Sequence, residues 1–207
     1  MAGWFATPAG QALLGSEMAS VHAALGERPG QPWLWLAPAS AGDGDGVPGQ
    51  GLRLQAVPGG WAGSVRCAQE LPLANESVAT VVLQHAAGDG DQARALLDEC
   101  ARVLVPGGRL SLLCLNPLSP WRWRWGGQGP GSSEPMPWRR RLRAAGLVPE
   151  AVSQGLGPRW GLLPDPSLQH GPGVRAAWLL RAEKRVSPLT PVRSRQPLRI
   201  GGGVPAA

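Results

Sequence analysis

Residues 71–117, LPLANESVATVVLQHAAGDGDQARALLDECARVLVPGGRLSLLCLNP, constrain this chain more than any other stretch. The run Val78-Ala79-Thr80-Val81-Val82-Leu83 is apolar and β-branched, too short for a helix, and bounded by Asn75-Glu76-Ser77. That is the pattern of a strand buried on both faces of a parallel sheet. Gln84 and His85 follow at its carboxyl end. After a Gly-Asp-Gly-Asp turn, Ala93, Leu96, Leu97, Cys100, Val103 and Leu104 recur at three- and four-residue spacing, one apolar helical stripe that stops before Pro106-Gly107-Gly108. Residues 110–115 make the next strand. Strand, helix, glycine turn and strand in this order read as the second half of a nucleotide-binding α/β unit, so the expected ligand is a nucleoside-like cofactor at the carboxyl edge of the sheet.

The first half is less regular. Thr7 and Pro8 are a plausible N-cap and first helical residue, and the spacing of Leu13, Leu14, Met18, Val21 and Leu25 predicts a helix to about Leu25. Trp33 to Ala37 reads as the first strand and residues 52–56 as the second. The 14 residues between them are rich in Gly and Pro, where a parallel crossover usually places a helix, so an irregular loop is expected. Farther on, residues 138–145 (WRRRLRAA) predict a short basic helix ending at Gly146, with Leu142 and Ala145 toward the sheet. The fold class is α/β: a Rossmann-like, doubly wound, mainly parallel sheet in one domain. The three most continuously apolar runs, 33–37, 78–83 and 110–115, should be neighbouring central strands.

This order of elements resembles the class I S-adenosylmethionine-dependent methyltransferases, type 11-like branch. The likeness is carried by Leu71-Pro72 before the fourth strand and Leu104-Val105-Pro106-Gly107-Gly108 before the fifth, and it covers residues 64–120 well. A narrower likeness is to bacterial methyltransferase-domain proteins that continue into Asn116-Pro117-Leu118-Ser119-Pro120-Trp121 and close on a strand running into Lys184-Arg185 and Pro188-Leu189-Thr190-Pro191. The resemblance implies S-adenosylmethionine as cofactor and an unknown methyl acceptor. It implies a methionine end near Leu36, Ala37, Pro38 and Ala39, a ribose near Gln55, and an adenine near Cys67 and Ala68. Gln84, His85 and Asn116 would face the reacting end.

Three departures from the family pattern fall where the family does chemistry. The loop after the first strand, Pro38-Ala39-Ser40-Ala41-Gly42-Asp43-Gly44-Asp45-Gly46, puts proline where a bare glycine backbone would be wanted. Gln55 stands where an acidic residue would accept both ribose hydroxyls, and a neutral carboxamide is a poorer acceptor than a carboxylate. Ser77-Val78-Ala79 replaces a Ser-Phe-Asp signature. Cofactor binding is therefore expected to be weak or lost, and a non-catalytic binding or scaffold module of the same fold is the second reading. Two readings stand open for His85: a general base, which needs an acceptor proton within reach, or a histidine that packs or hydrogen-bonds beneath the cofactor. Trp4 and Phe5 could form part of a lid or simply anchor a helix end.

Charge divides the chain. Residues 1–120 carry net −4 and residues 121–207 net +10. The basic part suggests an anionic partner, and the alternating Trp121-Arg122-Trp123-Arg124-Trp125 would suit stacked bases, the basis of a third, nucleic-acid-binding reading. Solvated arginines, or a cap over the substrate pocket, are the plainer readings. Residues 1–186 are expected to form the domain and 187–207, rich in Pro, Arg and Gly, a disordered tail. Cys67, Cys100 and Cys114 have no Cys-x-x-Cys spacing, and His22 and His170 have no metal partners at usable spacing, so core thiols and no metal are expected. With no export signal and no apolar run near the roughly 18 residues of a membrane span, a cytoplasmic protein is expected.

Overall fold

The structure is a computed structural model describing residues 2–41, 46–47, 49–88, 90–121, 132–159 and 174–185. In chain order the elements are α1 (Ala2–Phe5), α2 (Pro8–Leu25), β1 (Trp33–Ala37), β2 (Gly51–Val57), β3 (Gly60–Gly63), β4 (Arg66–Cys67) and β5 (Val78–Gln84). They continue with α3 (Gly90–Val103), β6 (Leu104–Leu115), α4 (Pro135–Ala144), β7 (Leu147–Pro149), β8 (Gln154–Arg159) and β9 (Arg175–Lys184).

One mixed sheet runs in the order β4-β3-β2-β1-β5-β6-β9-β7, with β8 also on β9. The central four, β2, β1, β5 and β6, are parallel, and β1, β5 and β6 are neighbours as their apolar runs predict. Antiparallel strands close both sides: the β3–β4 hairpin beside β2, and β9 beside β6. The sheet is the doubly wound α/β arrangement expected of the sequence.

Side-chain alternation splits each central strand between two cores. Leu34 and Leu36 of β1, Val81 and Leu83 of β5, and Leu110, Leu112 and Cys114 of β6 face α3 and α4, where Leu97, Cys100, Trp138 and Leu142 meet them. Trp33, Trp35 and Ala37, then Val82, then Leu113 and Leu115 face α1 and α2, against Phe5, Leu13, Leu14, Val21 and Leu25. Burial on both faces is why these strands read as continuous apolar runs.

Thr7 caps α2 by accepting the Gly10 N–H at 3.2 Å, with Pro8 as the first helical residue. On α3, Ala93, Leu96, Leu97, Cys100 and Val103 are buried, but Leu104 leaves the stripe and opens β6 opposite Val78. Pro106-Gly107-Gly108 lies inside β6 as an irregularity, with Gly107 at φ 73°, so the strand starts before residue 110. The turn residues interrupt the ladder without ending it, because Arg109 rejoins β5 at Thr80. Strands β3, β4, β7 and β8 have too few apolar residues for periodicity to announce them. Between β1 and β2 no described residue is helical. No helix among the described residues is long and apolar enough to cross a membrane. The loop residues 42–45, Trp121-Trp125 past its first residue, His170 and the tail 187–207 lie outside the described residues.

Candidate functional site

Strand order reverses at β1: the chain builds leftward to β2 and then rightward to β5. In open α/β sheets ligands bind outside the carboxyl ends at such a point. A cleft of about 290 Å³ lies there. One wall is the end of β2 and its turn into β3, Ala56, Val57, Gly59, Gly60 and Trp61; the other is the segment after β5, His85 to Gly88, with Gln92 and Leu96 of α3. Gln69 adds a second carboxamide. Among the described residues, none of those lining the cleft is ionisable apart from His85.

The β3–β4 hairpin is pressed close at this wall. A Cβ added to Gly60 would stand 2.2 Å from the Cys67 carbonyl oxygen and 2.8 Å from the Ala68 Cα, so only glycine fits. Cys67 is half-buried opposite Trp61, and burial pushes its thiol up from the usual range; Ala68 is exposed.

At the carboxyl end of β5 the chain turns through His85, whose φ of 48° costs a non-glycine residue about 1–3 kcal/mol. Three contacts hold it. Its backbone N–H donates to Leu113 O at 3.0 Å. Its ring stacks on Phe5, centroids 5.1 Å apart and 29° between planes. Its Nε2 lies 2.9 and 3.0 Å from the two carboxylate oxygens of Glu17, within hydrogen-bond distance of both. Glu17 is fully buried and also accepts the Gln84 Nε2–H at 3.0 Å; Gln84 Oε1 has no partner among the described residues. The His85 side chain is only 3 % exposed, so the backbone and not the imidazole dominates the cleft wall.

The residues singled out from sequence therefore separate. Gln84 and His85 come together with Glu17 and Phe5. Leu36 and Ala37 are fully buried on opposite faces of β1, so only their backbone groups could meet a ligand; Pro38 is buried and Ala39 exposed. The loop start is tied down, with Ala41 N–H on Pro38 O at 3.0 Å and Gln11 Nε2 on Ser40 O at 2.9 Å. Gln55 is half-buried in the ladder between Ala37 and Ala62 and does not line the cleft. Asn116 uses its carboxamide on backbone: Nδ2 donates to Arg175 O at 3.0 Å and Oδ1 accepts the Leu118 N–H at 3.0 Å. That fixes the turn after β6 to the start of β9.

Sequence reasoning missed Glu17 and most of the cleft. A signal for Glu17 existed: it sits on the apolar stripe of α2 among buried Leu13, Leu14, Val21 and Ala24, where an unpaired carboxylate would be costly. A wider hollow of about 510 Å³ is walled by residues 70–73 with Glu99 and Arg102; of its three charged groups, Glu99 and Arg102 are bonded to each other and to the backbone, which leaves them less suited to a ligand.

A profile of the methyltransferase domain family matches residues 60–112, which spans the hairpin, β5, α3 and most of β6. A methyltransferase from Aquifex aeolicus superposes with a TM-score of 0.58 at 11 % identity, covering 88 % of this chain and 96 % of that one. Another from Archaeoglobus fulgidus gives 0.56 at 12 % identity over 84 % and 94 %, and one from Thermotoga maritima 0.55 at 15 % identity over 88 % and 94 %. All three are described as S-adenosylmethionine-dependent. The chain has the class I S-adenosylmethionine-dependent methyltransferase fold. No curated protein matches it in sequence. Within this methyltransferase fold the cleft occupies the switch point, between the β2–β3 turn and the segment after β5.

Proposed function

We propose that this methyltransferase-fold protein binds S-adenosylmethionine, or its demethylated product, weakly at the cleft. The observation that carries the reading is the position of the cleft between the carboxyl ends of β2 and β5, the strands that flank β1, in a fold shared with S-adenosylmethionine-dependent enzymes. The residues present fit the nucleoside end of that cofactor. Ala56, Val57 and Trp61 offer apolar surface to a base, and Gln69 and Gln92 offer neutral donors and acceptors. The ribose end fits less well: among the described residues no carboxylate lines the cleft, and Gln55 does not line it either. Losing one charge-assisted hydrogen bond costs about 1.5–3 kcal/mol, roughly ten- to a hundredfold in affinity.

When bound, S-adenosylmethionine supplies an electrophilic methyl group. The chain's own part is placement. The His85 side chain is 3 % exposed, with its ring stacked on Phe5 and Nε2 on Glu17, so in this reading the ring stays out of the acceptor's reach and transfer relies on proximity. That no described residue of the cleft is a carboxylate favours the second reading, a binding or scaffold module without turnover. Calorimetric titration with S-adenosylmethionine and with S-adenosylhomocysteine tests binding. Dissociation constants well above micromolar are expected; no heat at millimolar ligand would overturn the proposal. Release of S-adenosylhomocysteine from bound cofactor would separate enzyme from scaffold.

A further inference from the structure

We infer that Glu17 is a positioning residue that sets the wall of the cleft from behind. The inference rests on the cofactor-binding proposal. Glu17 is the one carboxylate among the described residues that is fully buried, a placement tolerated only when its oxygens are bonded. Those oxygens meet the last residue of β5, Gln84, and the first beyond it, His85. They therefore act where the chain leaves the sheet. A left-handed His85 redirects the backbone into Ala86, Ala87 and Gly88, which face Gly60 and Trp61 across the cleft. Since a non-glycine residue abandons φ 48° unless its surroundings hold it, the Glu17 contact and the Phe5 stack keep that wall in place. Glu17 has no exposed surface and so cannot touch the ligand itself. Its effect on the ligand passes through His85, and it links helix α2 to occupancy of the cleft.

The test compares S-adenosylhomocysteine affinity, by calorimetry, in the wild-type chain, Glu17→Gln, and the control Leu14→Ala. Leu14 lies on the same buried face of α2 but outside the hydrogen bonds to His85. Glu17→Gln replaces a charge-assisted bond by a neutral one and should weaken binding about tenfold, whereas Leu14→Ala should stay within about twofold although it lowers the melting temperature. In 15N-histidine-labelled wild-type protein the imidazole N–H resonance absent from His85→Asn should shift on saturation with S-adenosylhomocysteine. Equal affinity losses in Glu17→Gln and Leu14→Ala, or a resonance indifferent to saturating ligand, would overturn the inference while leaving the binding proposal intact. Absence of binding by the wild-type chain would overturn both. Should Glu17→Gln fail to fold, His85→Asn serves in its place, since asparagine tolerates positive φ while the imidazole is removed; unchanged affinity in that variant overturns the inference.

Discussion

Glu99 and Arg102, one turn apart on α3, meet through two N–H···O contacts of 2.8 Å each. The pair then clamps the segment before β5. Arg102 donates to Leu71 O at 3.1 Å, Leu73 O at 2.8 Å and Asn75 Oδ1 at 2.8 Å, while Glu99 accepts the Leu71 N–H at 2.9 Å. Leu71 itself is buried in the α3-side core. Arg102→Ala should destabilise the protein by about 1–2 kcal/mol, the worth of a few hydrogen bonds to a charged group discounted for partial exposure. The melting temperature should fall by roughly 3–8 °C, and a fall under 1 °C would show that the clamp is idle.

The same clamp has a pH signature. Hydrogen bonding from Arg102 holds the Glu99 carboxyl below its ordinary value of 4.5, burial opposes that, and the Leu71 N–H assists it. A carboxyl depressed in the folded state binds protons more readily when unfolded, so its stabilisation is fully present above the ordinary value and is lost as pH falls through the folded one. Denaturant midpoints should thus show no effect of Glu99 titration between pH 7 and 5.5 and a decline below 4.5. Glu99→Gln should make that decline shallower; an unchanged acid limb would refute the assignment.

Gly60→Ala should damage the cleft wall before it damages the fold. The added methyl would sit 2.2 Å from the Cys67 carbonyl oxygen, a backbone atom that cannot step aside cheaply, and the hairpin must part. A cost of about 1–3 kcal/mol is expected, as for other overpacked sites, together with weaker binding of S-adenosylhomocysteine. Wild-type stability in this variant, measured by denaturant titration, would mean that the hairpin is looser than described.

Asn116→Ala distinguishes a structural from a catalytic asparagine. It removes both backbone contacts of the carboxamide, which should cost about 1–2 kcal/mol of stability. Affinity for S-adenosylhomocysteine should change by less than about threefold. A large loss of affinity with unchanged stability would return Asn116 to the reacting end.

The N-cap at Thr7-Pro8, the stripe from Ala93 to Val103, and the runs at 33–37, 78–83 and 110–115 were legible in the sequence because propensity, capping and apolar spacing act over a few neighbouring residues. They determined the parallel centre of the sheet and the carboxyl edge where a ligand belongs. Strand β6 was only partly legible: Pro106-Gly107-Gly108 signals a turn locally, yet pairing with β5 on both sides carries the strand through it. The hairpin at 60–67 was not legible, since Gly60–Gly63 and Arg66–Cys67 have little apolar pattern and pair because β2 leaves an edge beside them. Tertiary structure alone decided what the polar residues do. His85 reaches Glu17 across 68 positions of chain, and Asn116 reaches Arg175 across 59. Such partners depend on which elements adjoin, and a buried polar group must find a partner wherever the packing supplies one. Apolar spacing shows which face of α2 turns inward, but only the assembled sheet shows that Glu17 on that face arrives at the end of β5.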